Sequence, residues 1–246
     1  MANGLPIIDC NTIFGFWQHR RIDASVEALV GIMKANNVVR ALCVSTTAIL
    51  YDYRIGNEET FQVAAKHGQT LYPVATVDPR QYIDCIAEID KRLQQGFRFF
   101  RFFPEYQGWP LYFAPFRDIV TYLGGKHIPM LIPTPQLGDI SRLADMVSFL
   151  PAPIIISHVN YVNLGEALAV MRNDPKIYLE THMLNSPDVI ELAVSEIGAE
   201  RLVFGSSAPL KYFSSALLPI VSSELSDEQK GAILGGNIRR LITGRS

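Results

Sequence analysis

Cysteine is scarce in this chain, and its scarcity excludes a fold that depends on disulfide bonds. The 246 residues contain three cysteines, Cys10, Cys43 and Cys85. An odd number without Cys-x-x-Cys spacing forms neither a disulfide framework nor a cysteine zinc site. Cys10 and Cys43 lie in apolar runs, where a reduced cysteine packs as a small hydrophobic residue.

Long apolar runs and clusters of one charge are also missing. Charged residues make up 19% of the chain, the net charge is -2, and Lys and Arg form no long run. This composition excludes electrostatic recruitment to nucleic acid or to an anionic membrane. No apolar run approaches the roughly 18 residues of a membrane span, and the N-terminal segment lacks the pattern of a secretory signal. We therefore expect one globular domain, residues 1–246, in the cytoplasm, with a homo-oligomer left open.

The order of apolar and amphipathic segments predicts a single (β/α)8 barrel. Short β-branched or aromatic runs alternate with segments of helical periodicity, and their continuous apolar character is typical of strands covered on both faces. Asp23, Asp139 and Ser186 are predicted to cap helices, and Gly198 is predicted to end one. No Gly-rich phosphate loop favours the alternative, a doubly wound sheet. The predicted strands are Pro6–Ile13, Val38–Thr46, Thr70–Val77, Phe97–Phe103, Met130–Thr134, Ile154–His158, Ile177–His182 and Leu202–Ser206.

Strand alternation predicts which side chains face the interior of this barrel. Functional residues of such barrels lie at the carboxyl ends of the strands, so the last inward residue of each strand is a candidate. The predicted inward sets are Asp9, Asn11 and Ile13; Ile154, Ile156 and His158; Tyr178, Glu180 and His182; and Val203, Gly205 and Ser207.

Several segments, in the right order along nearly the whole chain, resemble the amidohydrolase-related family, the amidohydrolase 2 group of its superfamily. The resemblance implies the same barrel and a hydrolase or decarboxylase acting on a small, often aromatic, carboxylate. It also implies that metal-free catalysis is open to the chain, because the superfamily includes members thought to hydrolyse lactones without metal. The segments are residues 74–79, 97–110, 155–158, 201–209 and 233–241.

The same resemblance shows that most of the family's metal ligands are absent. That family holds its metal with two histidines of the first strand, one each of the fifth and sixth, and an aspartate of the eighth. Here Asn11 and Ile13 stand at the first-strand positions, Pro133 at the fifth and Ser207 at the eighth. Only His158 matches, and one imidazole does not hold zinc. We predict no metal cofactor, and hence no metal-activated water.

Proton chemistry remains open to the residues that are left. His158 is a usable base near neutral pH, with Asp9 or Glu180 as the group that orients it. With Ser207 these residues would form a nucleophile, base and carboxylate, although no nucleophile-elbow pattern surrounds Ser207. In the other interpretation His158 is a pocket residue with a satisfied hydrogen bond. His182 is expected to line the barrel mouth.

Aromatic residues are dense near the end of the fourth predicted strand. Half of residues 97–116 are aromatic, and many of them are expected to pack in the core. The loop after a strand is not core, so Trp17, Tyr106 and Trp109 predict an apolar pocket or a buried interface at the barrel mouth.

Arg101 has the parity of an inward residue in this apolar setting. A buried guanidinium requires an anion. Glu105 or Asp78 would supply it within the protein, and a substrate carboxylate is the functional alternative. The other predicted substrate-binding residues are Asn11, Glu180 and His182.

Two functions follow, and they differ in what fills the barrel mouth. The first is a metal-independent hydrolase, or a lyase of C–C or C–O bonds, with His158 as acid/base, Asp9 orienting it and Arg101 binding a small carboxylate. The second is a non-catalytic protein that binds an apolar or aromatic ligand, or a protein partner, with Ile13 and Pro133 in the old metal site. A third possibility is a metal site assembled differently, from Asp9, His158, Glu180 and His182.

Overall fold

The computed structural model describes residues 4–244 and contains the predicted (β/α)8 barrel. Within these residues all strand pairs are parallel and form two sheets, in the order β1-β2-β3 and β4-β5-β6-β7-β8. Isolated bridges from Thr12 to Ala208 and from Ala75 to Phe100 join the two sheets into a closed barrel. The strands are β1 Ile7–Phe14, β2 Val38–Ser45, β3 Leu71–Pro73, β4 Phe100–Arg101, β5 Met130–Pro133, β6 Ile154–Ser157, β7 Ile177–Glu180 and β8 Leu202–Val203.

Every predicted strand is present, although most are shorter than expected. The ends of the predicted domain, residues 1–3 and 245–246, lie outside the described residues. No helix in the part that the structure describes is long and apolar enough to cross a membrane. The helices are α1 Val26–Ala35, α2 Thr46–Leu50, α3 Tyr53–His67, α4 Tyr82–Gln94, α5 Pro104–Gln107, α6 Ala114–Gly125, α7 Asp139–Val147, α8 Leu164–Met171, α9 Val189–Ile197, α10 Phe213–Val221, α11 Asp227–Gly231 and α12 Asn237–Thr243.

The predicted helix caps are partly wrong. The N-cap of α1 is Ser25, whose hydroxyl accepts from the Ala28 amide at 3.1 Å. The Asp23 carboxylate accepts from the Ser25 amide, in the segment that precedes the helix. Asp139 is the first residue of α7 and follows a left-handed Gly138. A polar residue near a helix start therefore indicates the turn that begins the helix, but not the capping position within it.

The cap predicted for α9 is also displaced. Asp188, rather than Ser186, stands at the N-cap position of this helix. Gly198 ends α9 as expected, with its amide bonded to the Val194 carbonyl. Glycine is suited to that position because its φ of 83° lies in the left-handed region.

Two buried clusters separate the outside of the barrel from its inside. The larger cluster joins apolar helix residues to strand residues such as Ile154 and Ile156. The smaller one contains Ile155, Phe99 and Phe103, and therefore marks the barrel interior. The inward parity predicted for Ile154 and Ile156 is wrong, because their neighbour Ile155 is the inward residue.

A bulge breaks the alternation of β1. Asp9 pairs with Ala41 but Thr12 pairs with Cys43, so β1 carries one extra residue between these two pairs. As a result Ile13 packs in the interior cluster with Cys10, not on the face of Asp9. The predicted shared face of Asp9, Asn11 and Ile13 is wrong for this reason.

Candidate active site at the barrel mouth

A cavity lies at the carboxyl ends of the strands and brings together residues from both sheets. It encloses about 420 Å³ between atoms but leaves only about 20 Å³ for the centres of water-sized molecules. That space is enough for a water molecule or two. A ligand with an aromatic ring therefore requires side chains of the mouth to move. The lining residues are Ile13, Trp17, Ile49, Arg101, Phe103, Glu105, Tyr106, Pro133, His158, Ser207 and Leu210.

Five of the predicted site residues line this cavity: Trp17, Arg101, Tyr106, His158 and Ser207. The rings of Trp17 and Tyr106 pack edge to face, with centroids 5.1 Å apart. Trp17 is buried, whereas Tyr106 is 42% exposed. The pair forms the outer aromatic wall of the cavity, and Tyr106 is its solvent-facing member.

Trp109 is not brought to the cavity. Its ring packs on Phe116 in the larger cluster, with centroids 4.6 Å apart, and its indole N–H donates to Gln107 at 2.9 Å. Proximity in sequence to Tyr106 suggested a mouth position, but α5 ends between the two residues and turns the chain inward. Ile49 and Leu210 also line the cavity. The sequence did not indicate this, because an apolar residue carries no feature that distinguishes a cavity wall from the core.

Arg101 is a buried cation without an ion-pair partner in the part of the chain that is described. Its side chain stacks on Phe103, with the guanidinium carbon 4.7 Å from the ring centroid. One Nη donates weakly to the Thr12 carbonyl at 3.4 Å, and Nε has no partner. Asp78 is paired with Arg80 instead, at 2.7 Å. Burial lowers the pKa of Arg101, partly offset by Glu180.

His158 and Ser207 reach the cavity through strained backbone. Their φ angles are 63° and 60°, in the left-handed region that side chains other than glycine rarely adopt. His158 directly follows β6, Ser207 lies in the loop that follows β8, and both side chains line the cavity. Strain of this kind persists where surrounding structure enforces it, and it is concentrated at functional sites.

Replacing Ser207 with glycine is expected to stabilise the protein relative to Ser207→Ala. Both variants lack the hydroxyl, but only glycine adopts a φ of 60° without a Cβ clash, so their free energies of unfolding should differ by about 1 kcal/mol. Chemical denaturation of the two variants checks this. Equal stabilities would mean that the backbone at Ser207 carries no strain.

The imidazole of His158 is held neutral. Burial, and after it the neighbouring His182, lowers the pKa of His158 from 6.5 to about 3. Its Nδ1 lies 3.2 Å from the Ser157 hydroxyl, which is its hydrogen-bond partner among the described side chains. The predicted bonds from His158 to Ser207, Asp9 or Glu180 are not made. A nucleophile–base–carboxylate triad is therefore not assembled here.

Asp9 lies below the cavity and is bonded to the β8 loop. Its carboxylate accepts from the Ser206 hydroxyl, from the Ser206 amide at 3.0 Å and from the Asn11 amide at 3.0 Å. Burial raises the pKa of Asp9 from 3.8 to about 7, against the lowering effect of these hydrogen bonds. The contacts make Asp9 a link between β1 and the β8 loop, not an orienter of His158.

Glu180 and His182 form a fully buried pair at the end of β7. The carboxylate Oε2 lies 2.5 Å from His182 Nδ1, and Oε1 accepts from the His182 amide at 3.0 Å. Burial favours the protonated form of Glu180, but the charge and hydrogen bonds of His182 prevail and lower its pKa. The ring of His182 meets that of His158 edge to face, with centroids 4.8 Å apart.

Unpartnered polar atoms lie beside this pair. His182 Nε2 and both polar atoms of the Asn11 side chain are buried without a hydrogen-bond partner among the described residues. Gly205 lies against the side chains of Glu180 and Asn11: a Cβ there would lie 2.0 Å from Glu180 Oε1 and 2.7 Å from Asn11 Cβ. The absent side chain of Gly205 is what allows Asn11 and Glu180 to approach each other.

The residues that the resemblance places at the family's metal positions offer few ligands for a divalent metal. Ile13 and Pro133 offer no donor atom, and Asn11 and Ser207 offer a neutral amide and a hydroxyl. His158 alone is a ligand of the usual kind, and a transition-metal site requires several.

The alternative ligand set of Asp9, His158, Glu180 and His182 is wrong. Within residues 4–244 no group of three or more His, Cys, Asp or Glu side chains is arranged to hold a metal ion. Two of the four donors are occupied by each other, since Glu180 binds His182.

The closed parallel barrel, with polar side chains at the carboxyl ends of its strands, is the architecture of a TIM-barrel enzyme. The family model described as Amidohydrolase, of the amidohydrolase 2 group, matches residues 22–243. The chain belongs to this family. No curated protein matches the sequence.

Solved structures share the fold at low sequence identity. An uncharacterized TIM-barrel protein from Bordetella bronchiseptica is 17% identical, with a TM-score of 0.79 over 98% of this chain and 100% of that one. A 5-carboxyvanillate decarboxylase from Novosphingobium aromaticivorans, complexed with manganese and 4-hydroxy-3-methoxy-5-nitrobenzoic acid, is 11% identical, with a TM-score of 0.76 over 98% and 96%. A probable 2-pyrone-4,6-dicarboxylic acid hydrolase from Acinetobacter baumannii, with citric acid bound, is 14% identical, with a TM-score of 0.72 over 96% and 99%.

Proposed function

We propose that the protein is a metal-independent enzyme that cleaves a C–O or C–C bond in a small carboxylate, with an aromatic ring among the candidate substrates. The observation that carries this proposal is Arg101, a buried cation at the cavity wall without an ion-pair partner in the described chain. A guanidinium in such a setting lacks the anion that would balance its charge. A substrate carboxylate supplies that anion.

The apolar walls of the cavity suit the rest of such a ligand. Phe103 lies against the guanidinium, and Trp17 and Tyr106 close the outer side. Aromatic side chains bind a planar ring through edge and face contacts. The family's solved relatives support the substrate class, because two of those named above are complexed with, or named for, aromatic or other small carboxylates.

His158 is the acid/base group nearest to the bound ligand in this proposal. A pKa of about 3 keeps it neutral in the free protein, so it accepts a proton only weakly there. The negative charge of a bound carboxylate would raise that pKa toward neutrality. Ser207, on the same cavity wall, is placed to donate or accept a hydrogen bond.

A specific observation favours a second function, binding without catalysis. Ile13 and Pro133 take up space at the old metal positions, and the remaining volume is small. A protein of this kind would bind an apolar carboxylate at Arg101 and release it unchanged.

The test titrates chelator-treated protein with benzoate and with benzamide, its neutral isostere, by calorimetry. Benzoate is expected to bind at least tenfold more tightly, and added manganese or zinc should change neither affinity nor melting temperature. The Trp109→Phe variant, which leaves Trp17 as the reporter, should show fluorescence quenching by benzoate. Equal binding of the two probes, or stoichiometric metal binding, would contradict the proposal.

Turnover separates the enzyme from the binding protein. The same preparation is offered carboxylate-bearing esters, lactones and hydroxybenzoates, with products followed by chromatography. Turnover that His158→Gln reduces, with benzoate binding retained, supports the enzyme. Binding of benzoate without turnover of any compound supports the second function.

A further inference from the structure

We infer that His182, oriented by Glu180, is a second proton-accepting group of this site, behind His158, and that it activates a water molecule for hydrolysis. This inference rests on the proposed function, since it assigns a residue to its hydrolytic form. It gives His182 a catalytic role and Glu180 a positioning role, whereas strand position alone indicated substrate contact for both.

The hydrogen bond between the two side chains fixes the tautomer of the neutral imidazole. Nδ1 of His182 lies 2.5 Å from Glu180 Oε2, so the N–H of the neutral ring is on Nδ1 and is donated to the carboxylate. The lone pair is then on Nε2, which has no partner in the described protein. A carboxylate that holds one nitrogen and leaves the other free is the arrangement of a general base.

Position in the barrel supports this role. Both side chains are inaccessible to solvent, and the ring of His182 touches that of His158, which lines the cavity. The side chain of Asn11 lies against Gly205, as that of Glu180 does, and its amide is also without a partner among the described residues. Buried polar groups in native proteins bind water when the protein does not satisfy them. His182 Nε2 and the Asn11 amide are therefore each expected to bind water.

The reaction written with these residues is balanced without a metal. Nε2 of His182 takes a proton from water as the water oxygen forms a bond to the carbonyl carbon of an ester. The C–O bond to the leaving group then breaks, and the leaving oxygen takes the proton back from Nε2. Glu180 stays ionised and stabilises the imidazolium in between, and one water is consumed.

The first test is a crystal structure of the benzoate complex together with the His182→Asn variant. The amide of asparagine overlays Nδ1 of histidine, so it keeps the hydrogen bond to Glu180 but removes Nε2. Ordered solvent or ligand within hydrogen-bond distance of Nε2 is expected in the wild type, and its loss in the variant. A wild-type Nε2 that faces only carbon atoms would overturn the inference.

Kinetics on a substrate from the turnover screen give the second test. His182→Asn is expected to lower kcat by about 10²–10⁴-fold with KM little changed, which is the usual contribution of a general base. Glu180→Gln should lower kcat less and move the acidic limb of the pH profile, which the protonation of a general base determines. Normal kcat in His182→Asn would overturn the inference, while benzoate binding through Arg101 would leave the proposed function standing. If the wild type did not bind benzoate, the proposed function would be contradicted, and the crystal test of Nε2 would then decide the inference.

Discussion

Replacing Arg101 with methionine is expected to stabilise the protein and to weaken its affinity for a carboxylate. Arg101 is 7% exposed and has no ion pair in the described chain, so the desolvation cost of its guanidinium is only partly offset in the folded state. Methionine fills a similar volume and packs on Phe103 without a charge. By analogy with other buried charges replaced by apolar residues, the free energy of unfolding should rise by about 1–3 kcal/mol.

The same substitution should weaken benzoate binding by about tenfold to a hundredfold, the range of a lost charge-assisted hydrogen bond. Calorimetry measures the affinity, and urea denaturation measures the stability. A gain in stability with a loss of binding is the signature of a residue kept for its ligand.

Arg98→Met is the matched control. Arg98 is exposed and donates to the Leu93 and Phe97 carbonyls at 2.8 and 2.7 Å. Its replacement should leave benzoate affinity unchanged and should not stabilise the protein. If Arg101→Met lowered stability while benzoate binding persisted, the role given to Arg101 would be wrong.

The free energy of unfolding of the wild type should depend little on pH, because two large contributions of opposite sign cancel. The pKa of Asp9 is raised by burial from 3.8 to about 7, so the folded state holds a proton that the unfolded state has lost. Its contribution to stability is present at low pH and is lost as pH rises from about 4 to 7. The pKa of His158 is lowered from 6.5 to about 3, so the unfolded state holds the extra proton. The contribution of His158 to the free energy of unfolding therefore increases as pH rises from about 3 to 6.5.

Single variants should reveal each contribution. Asp9→Asn mimics the protonated carboxyl, so the stability of this variant should rise with pH between about 4 and 6.5. His158→Gln should give the reverse, a stability that falls over the same interval. Each slope approaches 1.4 kcal/mol per pH unit at most, because one group titrates in each case. Urea denaturation at a series of pH values measures both, relative to the wild type.

The double variant Asp9→Asn/His158→Gln is the control for this pair. It lacks both groups and should therefore follow the shallow wild-type profile. Parallel profiles for the wild type and for both single variants would mean that the two groups titrate normally in the folded protein.

The barrel was predictable because its signal is spread over the whole chain. Eight apolar runs separated by helical segments define the architecture even when individual ends are misjudged. Helix starts were less accurate: Asp23 and Ser25 are both good capping residues two positions apart, and only the local turn decides between them. Choices of this kind depend on backbone geometry that the residue types do not determine.

The site was less predictable, for reasons tied to particular residues. The residues at the family's metal positions were read from the resemblance alone, and Arg101 follows from simple alternation. The bulge in β1 and the left-handed backbone at His158 both break that alternation, and neither has a sequence signature. Trp109 illustrates the opposite error, a conspicuous residue that the chain turns into the core.

The two sheets of the barrel have a consequence for how ligands enter. Ile13, Trp17 and Ile49 come from the segment of β1–β2–β3, whereas Arg101, Pro133 and His158 come from that of β4–β8. The cavity therefore spans the seams where the sheets meet. A small relative displacement of the two halves would widen or shut it without any lid loop. Access of a ligand to Arg101 would therefore depend on how closely the two sheets approach each other at these seams.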